Sequence, residues 1–282
     1  MEKIYVIGHK NPDVDSVISG ILMQKLLEKN GYEAEFIIPD KYLDTETYNL
    51  LQKYDIDMND YRKDFVIGAT YFLVDHAHRN LNGKIIGIID HHCNILDKTP
   101  EFYINEDTSS AAMIIYKLNK KIFDSKDELL VVLASLVYTA AFNSSKTRKE
   151  DVATSIRLIK KNKFDYEQIY KDSLCLTPLD NLRDAAFTGY NKKILYNKII
   201  ASSYVQIYDY DYDKLKIMMN IVKDELWKDN IDLYVFLIYD MKKLITTAYF
   251  FSKKEINKIK FNKYTSRKEV IFPIIERLYK NE

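Results

Sequence analysis

Residues 3–16, KIYVIGHKNPDVDS, join a short apolar run to a polar turn. The apolar run at residues 3–7 contains β-branched side chains and predicts a buried strand. The turn leads into VISGILMQKLLEKN at residues 17–30, whose apolar spacing predicts a helix that stops at Gly31. A strand that feeds a helix through a polar turn is typical of the first unit of a parallel α/β sheet.

The rest of the first half repeats this alternation of strands and helices. Further apolar runs lie at residues 35–38, at 70–75 (TYFLVD) and at 84–90 (KIIGIID), and the pattern is helical over 109–171. Strands alternating with helices predict the α/β class, with a doubly wound, mostly parallel sheet that carries helices on both faces.

The second half predicts a separate, smaller domain. The polar stretch around Gly189 predicts a linker at residues 188–193 between a domain over 1–187 and another over 194–282. Beyond it, apolar runs at 194–207, 232–239 and 244–251 mix with helical patterns, which predicts an α+β domain with a mixed sheet.

Composition excludes several classes of function. The 282 residues include 42 basic and 41 acidic side chains, so the net charge of +1 attracts neither nucleic acid nor an anionic membrane. Two cysteines are too few for a disulfide framework, and the chain starts without a signal-peptide pattern, so we expect a cytoplasmic protein with no nucleic-acid or membrane partner. The seven glycines form no phosphate-binding loop, so metals and basic side chains must hold any phosphate.

Histidines and aspartates cluster where predicted strands end. The five histidines lie in three short segments, which also contain four aspartates: His9, His76, His78, His91, His92, Asp13, Asp15, Asp75 and Asp90. Because ligands bind beyond the carboxyl ends of strands in an open parallel sheet, these segments are predicted to converge. Imidazole and carboxylate ligands suit manganese, cobalt, iron or zinc, and two ions need a bridging carboxylate.

At these residues the sequence resembles a known superfamily. GHKNPDVDS (8–16), VDH (74–76) and DHH (90–92) resemble the motifs of the DHH phosphoesterases. YTSRKEVIFPIIE (264–276) resembles the second-domain signature of family II inorganic pyrophosphatases, which some exopolyphosphatases and prune-like proteins share. The resemblance implies a homodimer and two divalent ions, with Mn²⁺ as the first choice and Co²⁺ or Mg²⁺ as alternatives.

The resemblance also implies roles for individual residues. One ion would be held by His9, Asp13 and Asp75, and the other by Asp15, Asp75 and His91. Asp90 would orient its neighbours, and His92 would donate to a phosphate oxygen or to the leaving group.

A basic clamp from the second domain would bind the distal phosphate. The residues implied for it are Ser266, Arg267 and Lys268, together with a basic residue early in that domain. Lys192 is the first choice for this last position, and Lys193 is the alternative.

One position departs from the family pattern. A fourth motif normally supplies another metal-binding aspartate, but the corresponding stretch ASLVYTAAF (134–142) has Tyr138 there. A phenol, with a pKa of about 10, is a poor ligand at neutral pH.

Three functions therefore stay open. The first is a two-metal hydrolase of phosphoanhydrides, with pyrophosphate as the leading substrate and His92, Asp75, Arg267 and Lys268 as catalytic residues. The second is a hydrolase of short polyphosphate or another phosphoester, and the third is a phosphate-binding or regulatory protein with little turnover.

Overall fold

The chain folds into two units that each contain one five-stranded sheet. The computed structural model describes residues 2–77, 81–92, 100–174, 177–209 and 211–280, without the side chains of Lys268, Glu269 and Leu278. The units are Met1–Ser173 and Leu174–Glu282. The predicted His78 lies outside the described residues.

The sheet of the first unit is parallel throughout, with strand order β2-β1-β3-β4-β5. Its strands are β1 (Ile4–Ile7), β2 (Ala34–Ile37), β3 (Ala69–Val74), β4 (Gly83–Asp90) and β5 (Phe102–Asn105). The chain passes from β1 outward to β2 and then crosses to β3 on the other side of β1. A reversal of this kind opens a crevice at the carboxyl ends of β1 and β3.

Helices flank this sheet, as the α/β pattern predicts. They are α1 (Val14–Lys29), α2 (Thr45–Gln52), α3 (Ala111–Leu118), α4 (Ser125–Tyr138), α5 (Lys149–Asn162) and α6 (Tyr166–Ser173). Helix α1 packs against β2 so closely that a Cβ atom on Gly20 would lie 2.2 Å from the Phe36 ring. This contact packs the first half of α1 closely against the sheet.

The second unit has a mixed sheet of order β10-β9-β8-β7-β6 in which β7 and β8 are parallel and the other pairs are antiparallel. Its strands are β6 (Asn191–Leu195), β7 (Lys198–Ile207), β8 (Leu233–Asp240), β9 (Ile245–Ser252) and β10 (Ile256–Phe261). Its helices are α7 (Leu182–Ala186), α8 (Tyr212–Lys228) and α9 (Phe272–Lys280), the last preceded by a π-helical turn at Arg267–Ile271. This is the smaller α+β unit that the sequence predicts.

The boundary between the units differs from the predicted linker at residues 188–193. The structural division falls after Ser173, and the predicted linker overlaps strand β6, which pairs with β7. The polar sequence around Gly189 resembles a linker, but Gly189 has a φ of 58° and precedes a hairpin. A close approach to the Tyr204 ring, 2.1 Å from a Cβ built on Gly189, also requires glycine there.

Among the described residues, no helix combines the length and the apolar character that crossing a membrane requires.

Candidate metal centre

The turn after β1 supplies two of the predicted ligands. Asp13 caps α1, because its Oδ1 accepts a hydrogen bond of 3.0 Å from the backbone N–H of Ser16. The backbone N–H of His9 donates to Ser16 Oγ at 3.0 Å. A Cβ on Gly8 would lie 2.1 Å from the same Oγ, so this tight turn requires glycine. The turn holds His9 Nε2 3.5 Å from Asp13 Oδ1.

Asp75 follows β3 and lies at the centre of the cluster. Its side chain is 1% exposed, and its backbone has a φ of 63°, a strained conformation for a non-glycine residue. Its Oδ2 is buried without a hydrogen-bond partner among the described residues, although His9 Nε2 lies 3.5 Å away. Burial, with the nearby charges of Asp15 and Asp13, raises the pKa of Asp75 well above the ordinary carboxyl value. A buried, unsatisfied carboxylate oxygen among like charges is the environment that a bound cation would relieve.

Asp90 organises the end of β4. Its Oδ1 accepts hydrogen bonds from the backbone N–H groups of His91 at 2.8 Å and His92 at 3.2 Å. The same atom lies 2.9 Å from Nδ1 of His92. Burial alone would raise the pKa of Asp90, but these hydrogen bonds outweigh it and lower the pKa. Asp90 is therefore an anion that fixes both histidines.

In each of the three histidines of the site, Nδ1 lies within hydrogen-bond distance of an oxygen atom. Nδ1 of His9 lies 3.0 Å from the backbone oxygen of Lys10, and Nδ1 of His91 lies 3.1 Å from the backbone oxygen of Thr108. Nδ1 of His92 lies 2.9 Å from Oδ1 of Asp90. A carbonyl or carboxylate oxygen at this distance makes Nδ1 a donor, so Nε2 is the nitrogen that an ion can bind once it carries no proton. Metal-binding histidines commonly have such a partner on the nitrogen that does not bind the ion.

His91 connects Asp75 to Asp15. Its Nε2 lies 3.1 Å from Asp75 Oδ1 and 3.3 Å from Asp15 Oδ2. Asp15 also receives hydrogen bonds from the first amides of α3, Ala111 at 2.8 Å and Ala112 at 3.1 Å. Burial is the main reason that the pKa of Asp15 is raised. Asp15 therefore joins the start of α3 to the cluster.

In the part of the chain that the structure describes, two groups of side chains place potential ligand atoms within 4.8 Å of one another: His9, Asp13 and Asp75 in one, and Asp75, His91 and His92 in the other. Asp75 belongs to both, which is the arrangement expected of a bridging carboxylate. The first group has the same members as the predicted first ligand set. The second includes His92, whereas the predicted set had Asp15, which lies beside His91 instead. With the unsatisfied oxygen of Asp75, this donor chemistry fits divalent manganese, cobalt or zinc.

Tyr138, the last residue of α4, forms one wall of the cluster. Its ring centroid lies 4.4 Å from that of His91 and 6.1 Å from that of His92. Burial, followed by the charge of Asp75, raises the pKa of the phenol above its ordinary value. The position expected to hold an aspartate therefore holds a neutral ring beside the predicted ligands.

The predicted clamp residues lie in the second unit. Arg267 donates to the backbone oxygen of Gly189 at 2.7 Å and to Ser202 Oγ at 3.4 Å. Its guanidinium carbon lies 5.5 Å from the centroid of the Tyr204 ring. Ser266 precedes Arg267 and accepts a hydrogen bond on its backbone oxygen from the N–H of Val270. The side chain of Lys268 is outside the described residues.

The two lysines of β6 lie on opposite faces of the second sheet. Asn191 pairs with Ser202, so strand alternation puts Lys193 on the face of Ser202 and Arg267. Nζ of Lys193 lies 4.4 Å from the centroid of the Phe272 ring. Lys192 is on the other face, where its Nζ is 3.1 Å from Asp229. Lys193 is thus the lysine that shares a face with Arg267.

Comparison with known proteins identifies the first unit. The N-terminal domain of the DHH family matches residues 3–141. This part of the chain is a DHH family domain. Over 316 aligned residues, the chain is 28% identical to a manganese-dependent inorganic pyrophosphatase of Methanocaldococcus jannaschii, covering 98% of this chain and 99% of the relative. A probable manganese-dependent inorganic pyrophosphatase of Oceanobacillus iheyensis is 26% identical, with 86% and 83% covered.

Solved structures support the fold of both units. A Methanococcus jannaschii protein assigned to the family II inorganic pyrophosphatases superimposes with a TM-score of 0.64 at 23% identity, over 98% of this chain and 99% of that one. An exopolyphosphatase-related protein of Bacteroides fragilis gives a TM-score of 0.53 at 14% identity, over 99% and 92%. At these identities the likeness concerns the fold.

One residue that contacts the wall of the site, Lys146, carries no signal in the sequence. Lys146 places Nζ 3.8 Å from the centroid of the Tyr138 ring. A lysine eight residues beyond the observed end of α4 has no motif or spacing that would mark it. Only the course of the chain after α4 brings it to the site.

Proposed function

We propose that this protein is a metal-dependent hydrolase of phosphoanhydrides, with inorganic pyrophosphate as its leading substrate. The observation that carries the proposal is the buried carboxylate of Asp75, which two groups of potential ligands share. The relatives named manganese-dependent inorganic pyrophosphatases support both the substrate and Mn²⁺ as the first choice of metal.

His9, Asp13 and Asp75 would hold one divalent ion, and Asp75 and His91, with Asp15 or His92, a second. Such ions polarise a phosphoryl oxygen and lower the pKa of bound water toward neutrality. The protein itself contributes fixed imidazole orientations and a carboxylate cluster that is largely out of contact with water. The strained backbone at Asp75 points the bridging side chain inward from the end of β3.

His92 is the residue of the first unit that would contact the substrate. Its side chain is 42% exposed, whereas that of His91 is fully buried, so His92 is accessible to an incoming ligand. Nδ1 of His92 lies 2.9 Å from Oδ1 of Asp90. A protonated Nε2 would then donate a hydrogen bond to a phosphate oxygen, and the ionised Asp90 would stabilise the positive charge of the doubly protonated ring before it gives up that proton.

The basic residues of the second unit would bind the phosphate farther from the metals. Arg267 is the main candidate, together with its sequence neighbours Ser266 and Lys268. Either Lys192 or Lys193 of strand β6 would add a further positive charge. The position of Lys193 on the Arg267 face favours it over Lys192, whose ammonium pairs with Asp229. The homodimer and the cytoplasmic location remain predictions.

A second candidate function is hydrolysis of short polyphosphate or another phosphoester. The observation that favours it is Tyr138, which puts a neutral ring where a further acidic ligand was expected. Losing such a ligand weakens metal binding by at least about 10–100-fold, the cost of losing a supporting partner alone. A binding protein with little turnover would follow if this loss abolished catalysis.

Phosphate release from pyrophosphate, tripolyphosphate and a phosphomonoester, each with Mn²⁺, Co²⁺ or Mg²⁺, tests these functions. We expect turnover of pyrophosphate by the wild type and a loss of at least about 10³-fold in Asp75→Asn, which keeps side-chain shape and tolerates the positive φ. Asp64→Asn, at an exposed position, is the matched control. A wild type that is inert on all three substrates while Tyr138→Asp gains activity would favour the binding protein.

A further inference from the structure

Lys146 contributes positive charge to the wall of the candidate metal centre. Nζ of Lys146 lies 3.8 Å from the centroid of the Tyr138 ring, and that ring lies 4.4 Å from the ring of His91. An ammonium at this distance from an aromatic face makes a favourable cation–π contact. The order Lys146, Tyr138, His91 therefore connects an exposed cation to a predicted metal ligand through one ring.

The backbone after α4 fixes the start of the segment that carries this lysine. Residues 140–142 have positive φ values of 48°, 53° and 65°, although none is glycine. Thr139 supports this turn, since its Oγ1 accepts a hydrogen bond of 3.0 Å from the N–H of Phe142. The side chain of Asn143 donates to the backbone oxygens of Ala140 and Ala141 at 3.0 and 2.9 Å. Three consecutive residues in this region are strained, and strain of this kind concentrates at functional sites.

An arginine fixes the other end of the segment. Arg148 makes two hydrogen bonds to the carboxylate of Asp107, at 2.8 and 2.6 Å. It also donates to the backbone oxygen of Ser145 at 2.9 Å, directly before Lys146. Both sides of Lys146 are thus held by hydrogen bonds, so its ammonium is positioned by the fold and not only by its own flexible side chain.

The wall at Tyr138 carries more positive charge than the family pattern predicts. Family resemblance led us to expect an aspartate at position 138, which would carry one negative charge. The chain instead has a neutral phenol with an ammonium on its face, a difference of about two charge units. This change disfavours a second cation beside Tyr138 and favours a negatively charged group.

We propose that Lys146, supported by the ring of Tyr138, binds a phosphate oxygen of the substrate at the metal centre and so replaces part of the charge that a weakly held second metal ion would supply. The proposal rests on the proposed function, because it takes the substrate to be a phosphoanhydride bound at this site. An ammonium has three N–H donors, so contact with the ring on one side is compatible with hydrogen bonds to phosphate oxygens.

Calorimetric titration of the full-length protein with imidodiphosphate, a non-hydrolysable analogue of pyrophosphate, in saturating Mn²⁺ tests this role. We expect Lys146→Met to raise the Kd by about tenfold or more, the cost of one charge-assisted hydrogen bond. Lys146→Arg should bind within about threefold of the wild type, since it retains the cation and its contact with the ring. Lys149→Met, which removes a nearby exposed lysine at the start of α5, should leave the Kd unchanged.

The number of Mn²⁺ ions bound, measured by equilibrium dialysis without substrate, gives an independent readout. Removing a neighbouring cation should maintain or increase Mn²⁺ binding in Lys146→Met, whereas general damage to the site would reduce it. An unchanged Kd for imidodiphosphate in Lys146→Met overturns the proposal, as does a wild type that does not bind the analogue.

Turnover separates this proposal from the proposed function. Pyrophosphate hydrolysis that is equal in wild type and Lys146→Met would leave the function standing without Lys146. If imidodiphosphate binding depends on Lys146 but the protein hydrolyses none of the substrates, the proposed role of Lys146 stands and the proposed hydrolase function is rejected.

Discussion

At the scale of single residues, the site depends on which nitrogen of each imidazole carries a proton. Burial lowers the pKa of His9, but the hydrogen bond and charge of Asp13, together with the charge of Asp75, outweigh burial and raise the pKa to about 9. A metal ion binds only the neutral ring, so binding must displace a proton at any pH below this value.

This proton competition predicts how Mn²⁺ affinity depends on pH. Between pH 6.5 and 8, the apparent Kd for the ion that His9 would hold should fall by about tenfold per pH unit, because binding of that ion displaces one proton from His9. The free energy of unfolding of the metal-free protein should decrease over the same pH range, so stability falls while the affinity for Mn²⁺ rises. A raised histidine pKa adds stability below the unfolded value of 6.5, and this contribution is lost as the pH rises toward about 9. The raised pKa of Asp75 has the same sign.

Titration calorimetry with Mn²⁺ and thermal unfolding without metal, both across this range, measure the two trends. An affinity that does not change between pH 6.5 and 8 would contradict the assignment of His9 as a protonated ligand.

The sequence alone predicted the convergence of His9, Asp75 and His91 because parallel strands end at a common edge. It could not predict the contact of Lys146 with Tyr138. That contact depends on three consecutive residues with positive φ, two of which are alanines. Alanine gives no signal for this conformation, unlike the glycine or asparagine that usually adopts it.

At the scale of secondary-structure elements, Asp13 has two roles that a single substitution can separate. Its carboxylate caps α1 and also faces His9 at 3.5 Å. Asparagine caps helices about as well as aspartate, so above pH 9, where His9 is neutral, Asp13→Asn should keep the stability of the metal-free protein within about 0.5 kcal/mol. The loss of charge should weaken Mn²⁺ binding by about tenfold or more.

Asp44 offers a matched control for this experiment. It caps α2 through the same type of bond, 2.8 Å from the N–H of Thr47, and belongs to neither group of potential ligands. Asp44→Asn should therefore leave both stability and Mn²⁺ affinity unchanged. Equal Mn²⁺ affinities in Asp13→Asn and wild type, measured by calorimetry, would show that Asp13 serves only as a helix cap.

Elements with strong apolar patterns were the predictable ones. The runs at 70–75 and 84–90 correspond to β3 and β4, and those at 232–239 and 244–251 correspond to β8 and β9. Strand β6 was missed because three of its five residues are polar and it follows a glycine. Pairing with β7, which local sequence does not reveal, makes this segment a strand.

At the scale of the whole molecule, the predicted site residues are divided between two units. Every predicted metal ligand lies in Met1–Ser173, and the predicted phosphate clamp lies in Leu174–Glu282. The two tasks should therefore respond separately to mutation. Additivity is expected for sites without shared partners, so a change in the clamp should not alter metal binding.

Arg267→Lys tests this separation because it keeps the charge and removes the planar group that can bind two phosphate oxygens at once. We expect the KM for pyrophosphate to rise by about tenfold, while the number of Mn²⁺ ions bound stays the same. Lysine also loses the 2.7 Å bond to Gly189, so thermal unfolding is measured alongside the steady-state kinetics. Arg183→Lys is the control, since Arg183 is exposed on α7 and lies 3.6 Å from Glu225. A lower Tm with an unchanged KM would mean that Arg267 stabilises the second unit and does not bind substrate.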